Sequence, residues 1–149
     1  MSDHRKCNTC DTTCTTCSDT ALTCTSCSGM RFLSYPACYT QCPIPYYAVP
    51  GVSNQNNLCN ADCPDSQFKH DIDRTCQTTC PNPYYGDPQT KMCVDPCPSE
   101  MYKNPATQRC ALCDFNCQTC SESAISCNSC KYGWVKSGTS CIMPTSNII

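Results

Sequence analysis

The sequence predicts a small disulfide-rich fold, an elongated rod of stacked modules built from short β-hairpins with almost no helix. Three observations lead to this prediction. The chain has 21 cysteines among its 149 residues, a density typical of disulfide scaffolds in oxidising compartments. Val, Ile, Leu and Phe together number only 17, too few for an aliphatic core. The cysteines also recur at regular intervals, which is typical of proteins whose modules contact only their neighbours.

The cysteine spacing divides the chain into three zones. Residues 1–38 form a cluster of CxxC type that contains CNTCDTTCTTCSDTALTCTSC. Residues 39–109 form a zone built on the unit C-x3-C-P, whose four copies begin at Cys38, Cys59, Cys76 and Cys93. Residues 110–149 repeat the first cluster as CALCDFNCQTCSESAISCNSC, with Cys110 at the place of Cys7, an offset of 103 residues. We therefore expect a ladder of single-disulfide modules between two similar clusters.

Each unit of the middle zone carries an aromatic residue five positions after its second cysteine. These residues are Tyr47, Phe68, Tyr85 and Tyr102. Asx-Pro pairs follow at Asp87 and Asn104, and this pair suits the first two positions of a type I turn. Each unit is therefore predicted to be a tight hairpin tied at its base by a disulfide, with its aromatic ring packed over that disulfide or a neighbouring one. The 12 prolines argue against helices.

Charge and hydropathy exclude several classes of partner. A net charge of −2 gives no reason to expect nucleic acid or an anionic membrane surface. No apolar run approaches the roughly 18 residues of a membrane span. The opening MSDHRKCNTC lacks the apolar segment of a secretory signal. Since a disulfide scaffold requires the secretory pathway, we expect either a cleaved leader or a segment of a longer chain.

The cysteine pattern resembles a known family. The order CxxCxxxCxxC, then CxxC, then C-x3-C-P followed by an aromatic residue, resembles the furin-like repeats of the growth-factor-receptor cysteine-rich family. The units CPIPYY and CPNPYY are also similar to those of the long cysteine-rich surface proteins of ciliates and other protists. The resemblance covers nearly the whole chain, from Cys7 to Cys141. It implies a fold of alternating two-disulfide and one-disulfide modules, but the family includes many functions.

The resemblance also implies a disulfide pairing, which cysteine count alone would leave open. The implied pairs are Cys10–Cys17, Cys14–Cys24, Cys27–Cys38, Cys42–Cys59, Cys63–Cys76, Cys80–Cys93, Cys97–Cys110, Cys113–Cys120, Cys117–Cys127 and Cys130–Cys141. Cys7 is left unpaired, and we expect it to be bonded to another chain or to an upstream segment. Thr145 stands where the repeat would place the next cysteine, so the pattern stops there.

Alternative thiol and catalytic chemistry finds less support in the sequence. Zinc sites use CxxC pairs, but here the pairs are many, C-x3-C-P units are interleaved with them, and only His4 and His70 are available. A redox CxxC motif needs a βαβ context, which is absent. His70 lies beside Asp71 and Asp73, where we expect a solvated turn; the acids could contribute to a weak calcium site, although EF-hand spacing is missing. No catalytic residue, metal or cofactor is predicted.

Two further features remain open at this point. Trp134, the only tryptophan, is expected to cap the final loop, with anchoring of a partner as the alternative. The threonines of TTCTTC offer hydroxyls for O-linked glycans or serve as polar spacers. The glycan candidates are Thr12, Thr13, Thr15 and Thr16.

These observations predict a non-enzymatic extracellular structural protein, part of a repetitive cell-surface coat, appendage or filament. Head-to-tail self-association is the expected mode of assembly. The alternative is a furin-like receptor or secreted module that binds a protein ligand. A structural rod should be repetitive and self-associating, whereas a ligand-binding module should carry an apolar patch on one of its modules.

Overall fold

The computed structural model describes residues 8–51 and 57–145, and within those ranges it contains strands and turns but no helix. The strands are three or four residues long. In chain order they are β1 (Cys14–Cys17), β2 (Cys24–Cys27), β3 (Phe32–Ser34), β4 (Ala37–Tyr39), β5 (Tyr47–Val49), β6 (Leu58–Asn60), β7 (Phe68–His70), β8 (Thr75–Gln77), β9 (Tyr85–Asp87), β10 (Met92–Val94), β11 (Met101–Asn104), β12 (Arg109–Leu112), β13 (Cys117–Cys120), β14 (Cys127–Cys130), β15 (Val135–Ser137) and β16 (Ser140–Ile142).

Ten disulfides tie these strands together, and they are the same ten pairs that the resemblance implies. The buried clusters consist largely of these disulfides. One cluster contains Cys42, Cys59 and Ala48, with Phe32 packed against it. The predicted small disulfide-rich fold of short hairpins is therefore confirmed. Cys7 lies outside the described residues.

The Asx-Pro turns form as predicted. The backbone N–H of Gln89 donates to Asp87 Oδ1 at 2.9 Å, and the Thr90 hydroxyl donates to Asp87 Oδ2 at 2.6 Å. At Asn104, the side-chain oxygen accepts the N–H of Ala106 at 3.0 Å. Because each carboxylate or amide oxygen satisfies the donors of its own turn, the two strands of the hairpin are brought into register.

The chain divides into two compact units, Met1–Cys76 and Gln77–Ile149. The division falls inside the middle zone, and the three zones defined by cysteine spacing stay a prediction. In the first unit the hairpins β3–β4 and β5–β6 are antiparallel, while β3 pairs with β6 and β5 with β8 in parallel. In the second unit β9–β10, β11–β12 and β15–β16 are antiparallel hairpins, and β12 pairs with β9 in parallel.

The parallel pairings share a backbone hydrogen bond that repeats from hairpin to hairpin. The first strand of one hairpin donates an N–H to a carbonyl next to the second strand of the following hairpin. The pairs are Leu33–Asn57 at 2.8 Å and Ala48–Arg74 at 2.7 Å in the first unit, and Gly86–Gln108 at 3.0 Å in the second. Neighbouring hairpins within each unit therefore contact one another through their backbones.

The two CxxC-type clusters have the same local structure. The pairs β1–β2 and β13–β14 are antiparallel, with the same register and the same irregularities. Their backbone hydrogen bonds agree as well: Asp11–Ala21 and Asp114–Ala124 at 2.9 and 2.8 Å, and Cys24–Pro36 and Cys127–Thr139 at 2.8 and 2.7 Å. The predicted repeat at an offset of 103 residues is thus a structural repeat.

No helix among the described residues is long and apolar enough to cross a membrane.

Candidate interaction surfaces

The second unit shows how a hairpin packs on a CxxC-type cluster, and we call this contact the internal junction. It joins the hairpin closed by Cys97–Cys110 to the cluster of residues 110–141. The side chain of Tyr102 packs against the buried cysteines of that cluster. The N–H of Cys113 donates to the carbonyl of Glu100 at 2.8 Å. Together these contacts place an aromatic ring and one backbone hydrogen bond at the face of the cluster.

A cavity of about 260 Å³ marks the internal junction. On the hairpin side it is lined by Tyr102 and Lys103, and on the cluster side by Cys120, Ser121 and Glu122, among others. Lys131 of the cluster also pairs with Glu100 of the hairpin, with Nζ and Oε1 3.3 Å apart. Both side chains of this pair are partly exposed, so the pair contributes little to stability, at most about 1 kcal/mol.

The first cluster presents the equivalent face, which we call the open face. A cavity of about 340 Å³ lies there, against the Cys10–Cys17 disulfide and the loop of residues 18–21. Cys17 is half-buried, whereas its counterpart Cys120 is buried under the hairpin. No described residue covers the open face in the way that Tyr102 covers its counterpart.

Tyr47 holds two hairpins of the first unit together. Its ring is buried, with 8% exposed, and the guanidinium carbon of Arg74 lies 4.2 Å from the ring centroid. Lys69 Nζ lies 5.3 Å from the same centroid, and the phenol donates a hydrogen bond to the carboxylate of Asp71. Burial raises the pKa of the Tyr47 phenol, and the hydrogen bond to Asp71 raises it further. The cations and the acid all belong to the following hairpin, so these contacts connect neighbouring modules.

The second unit contains a simpler form of this contact. Lys103 Nζ lies 5.4 Å from the ring centroid of Tyr85 and pairs with Asp95. In both cases the cation is the residue directly after an aromatic position, since Lys69 follows Phe68 and Lys103 follows Tyr102. The rings of Tyr47 and Tyr85 thus lie against cations of the next hairpin. Packing of the aromatic ring over a disulfide, as predicted, is seen for Tyr102, and for the other three positions it stays a prediction.

The expectation of a solvated turn at His70 is wrong. His70 is 6% exposed, because alternate residues of β7 face inward and Phe68 is buried on the same side. Its Nδ1 lies 2.8 Å from Asp73 Oδ1, which also accepts the Thr75 hydroxyl at 2.7 Å. Burial alone would raise the pKa of Asp73, but the hydrogen bonds from Thr75 and His70 outweigh it and lower that pKa. The carboxylates of Asp71 and Asp73 thus already accept donors of the protein, which leaves a calcium ion few free oxygen ligands.

The sulfurs of Cys117, Cys127 and Cys141 lie within 4.8 Å of one another, a separation that could suit a metal ion. Each of these sulfurs belongs to a disulfide. Since zinc binds thiolates, this group does not fit a zinc site in its oxidised form.

Trp134 packs against the buried cysteines of the last cluster, as expected of a cap. It also meets Phe115 edge to face, with ring centroids 5.4 Å apart and planes at 82°. Phe115 is 70% exposed. The equivalent positions of the first cluster are Thr12 and Arg31. Only one of the two similar clusters therefore carries this aromatic pair. The difference was not predicted, although alignment of the two clusters at the offset of 103 residues shows it.

The glycan candidates differ in accessibility. Thr12 and Thr15 are exposed. Thr13 is partly buried and its hydroxyl donates to Asp11 Oδ1 at 2.6 Å, a contact that lowers the pKa of Asp11. The Thr16 hydroxyl is hydrogen-bonded to Thr25 and Ser26 on β2. Glycosylation at any of them stays a prediction, with Thr12 and Thr15 the more accessible sites.

Comparison with known proteins gives no relative. No family model, no curated protein and no solved structure matches this chain.

Proposed function

We propose that this chain is a non-enzymatic structural protein of the extracellular face, one segment of a repetitive coat, appendage or filament that assembles head to tail. Its ten disulfides are characteristic of an extracellular or secreted protein. The structural role in a coat, appendage or filament is proposed in addition to this extracellular or secreted location. The furin-like resemblance agrees with such a role and, like the glycans, remains part of the proposal.

The observation that carries the proposal is the way the modules contact one another. The backbone bond Ala48–Arg74 and the bond Gly86–Gln108 are the same contact in two units, so the surfaces of the modules are complementary to other modules of the same kind. Unlike surfaces that meet head to tail produce an open filament when the rotation between copies does not close a ring. A covalent bond of Cys7 across such a contact is part of the same proposal.

Assembly of the oxidised wild-type chain tests this role. We expect sedimentation velocity to show concentration-dependent growth beyond the monomer, and electron microscopy to show linear particles. Non-reducing electrophoresis with mapping of Cys7 peptides tests the covalent bond, since a monomer band with Cys7 free or capped by a small thiol would exclude it. A chain that remains monomeric up to about 1 mM, where even weak specific contacts are populated, contradicts the self-assembling role.

A second candidate function is favoured by the Phe115–Trp134 pair. An aromatic pair with an exposed member, Phe115, occurs on one cluster and not on its structural copy. A module that binds a protein ligand should carry such a pair, because Trp and other aromatic residues dominate binding hot spots. Phe115→Thr and Trp134→Arg introduce the residues of the first cluster. Both should abolish binding to a partner in a titration with extracellular proteins of the same organism. Ile125→Thr, at another exposed position of the last cluster, is the control and should leave binding unchanged.

A further inference from the structure

The last hairpin, β15–β16, has the features that the β11–β12 hairpin uses at the internal junction. Both hairpins follow a turn in which a residue donates to the carbonyl three positions earlier: Met101 to Pro98 at 3.1 Å, and Trp134 to Lys131 at 3.0 Å. Both turns place a residue with positive φ two positions before the aromatic position, namely Glu100 at 69° and Gly133 at 88°. The turns that begin at Pro43, Pro64 and Pro81 precede other hairpins, and they have no positive-φ residue at that position.

This left-handed residue matters because its carbonyl makes the hydrogen bond of the internal junction. The carbonyl of Glu100 accepts the N–H of Cys113. Gly133 holds the same place in the last hairpin, three residues after its first cysteine and two before the aromatic position. Its carbonyl is therefore placed to accept the N–H of a cluster cysteine equivalent to Cys113. In the first cluster that residue is Cys10.

The side chains of the last hairpin are exposed where those of β11–β12 are covered. Val135 holds the position of Tyr102 and pairs across the hairpin with Ile142, as Tyr102 pairs with Ala111. Val135 is 52% exposed and Ile142 is 50% exposed. An apolar cross-strand pair therefore lies on the face that packs on a cluster in the internal junction. Apolar area on such a face favours docking, because its burial removes it from water.

The ion pair of the internal junction is absent on both of the corresponding surfaces. Glu100 and Lys131 form an ion pair there. The last hairpin has Gly133 in place of Glu100, and the first cluster has Ser28 in place of Lys131. Docking of these two surfaces would therefore bury no unpaired charge at these two positions. This favours docking, because burial of an unpaired charge is costly.

We propose that the β15–β16 hairpin of one copy docks on the open face of the first cluster of a second copy, with Val135 in the place of Tyr102 and the Gly133 carbonyl accepting the Cys10 N–H. This inference rests on the proposed head-to-tail assembly and names its interface. Residues 142–143 of one copy and residues 8–9 of the other both correspond to residues 111–112. The two segments cannot occupy the same space, so one of them follows a different path in the complex. The partner that occupies the open face is a second copy of this chain, because the internal junction already shows a hairpin of this chain packed on a cluster of the same kind.

Two variants, each defective on one surface, test the interface. Val135→Asp places a carboxylate in the apolar contact, close to Asp19 of the second copy, and leaves the open face intact. Ser18→Glu adds charge and bulk on the open face, at the position where Ser121 lines the internal junction, and leaves the hairpin intact. Both residues are exposed, so neither change disturbs the fold. By sedimentation velocity each variant alone should associate at least tenfold more weakly than the wild type.

The mixture of the two variants gives the decisive result. The intact hairpin of the Ser18→Glu chain can dock on the intact open face of the Val135→Asp chain, so an equimolar mixture should form dimers and stop there. If both variants assemble as the wild type does, the interface is wrong while the assembling role stands. A mixture that stays monomeric overturns the pairing of these two surfaces. If the wild type itself never associates, the proposed assembling role fails as well.

Gly133→Ala provides a second measurement with a matched control. An added Cβ at Gly133 or at Gly138 meets nothing within 4 Å, and both residues have positive φ, 88° and 62°. Alanine therefore disfavours both backbone conformations to a similar degree, but only the Gly133 carbonyl lies in the proposed contact. We expect Gly133→Ala to weaken association at least threefold and Gly138→Ala to leave it unchanged. Equal effects of the two substitutions would exclude the role of the Gly133 carbonyl.

Discussion

Replacement of Tyr47 should open one inter-module contact and leave the rest of the chain closed. Tyr47 is buried and lies against Arg74 and Lys69, with its phenol bonded to Asp71. Truncation of a buried aromatic side chain to Ala costs about 3–5 kcal/mol. Tyr47→Phe keeps the ring beside the cations and loses only the phenol hydrogen bond, which is worth about 1 kcal/mol at this partly exposed acid.

Hydrogen exchange measures this local opening directly. The N–H of Ala48 donates to the Arg74 carbonyl beside the Tyr47 ring, and the N–H of Gly86 makes the equivalent bond in the other unit. Since about 1.4 kcal/mol corresponds to a factor of ten, Tyr47→Ala should speed exchange at Ala48 by roughly 10²–10⁴ and Tyr47→Phe by roughly fivefold. Exchange at Gly86 should not change, because modules of a ladder contact only their neighbours.

Two results would refute this reasoning. If Tyr47→Ala accelerated exchange equally at Ala48 and Gly86, the chain would unfold as one cooperative domain. If it accelerated neither, the cations and the ring would contribute nothing to the contact between the two hairpins.

The remaining predictions concern cysteine chemistry and pH. Denatured, unreduced protein should expose at most one alkylatable thiol by mass spectrometry, and reduction should unfold the chain; many free thiols together with bound zinc would contradict the disulfide framework. The lowered pKa of Asp73 means that the fold favours the ionised carboxylate, so its stabilisation is complete above the unfolded pKa of about 4 and is lost as the pH falls below it. Asp73→Asn should flatten the acid side of the stability curve measured with urea. The raised pKa of Tyr47 means that the fold favours the neutral phenol, so this stabilisation is present below about pH 10 and is lost as the pH rises through the folded pKa. In an absorbance titration Tyr47→Phe should remove a phenol that ionises at higher pH than free tyrosine, and an unchanged curve would exclude the raised pKa.

The disulfide pairing was predictable only through the resemblance to furin-like repeats, because cysteine count alone leaves the connectivity open. The hairpin turns were predictable from the sequence itself, since an Asx-Pro pair such as that at Asn104 suits a tight turn. The similar structure of the two clusters followed from their identical cysteine spacing. The turns and the repeat depend on local sequence, so the pattern of residue types indicates them.

The contacts between modules were less accessible from the sequence. His70 appeared to lie in a charged and solvated turn, but the period of β7 places it inward with Phe68. The bond from Tyr47 to Asp71 joins residues 24 positions apart, and no local pattern indicates it. Glu100 also gave no signal, because a left-handed backbone at a residue other than glycine depends on its turn and its neighbours.

The disulfide connectivity has a mechanical consequence. A force applied between Cys10 and Cys141 would pass through the disulfides, whose Cα atoms lie 5.2–5.7 Å apart, and through linkers of three or four residues. At about 3.4 Å per extended residue, the oxidised path reaches only roughly 160 Å, against roughly 450 Å for the reduced chain. The residues inside the loops of the middle zone bear no load even after every hairpin has opened. The disulfides therefore limit the greatest length to which the oxidised chain can be drawn out, and a reductant would increase that length almost threefold.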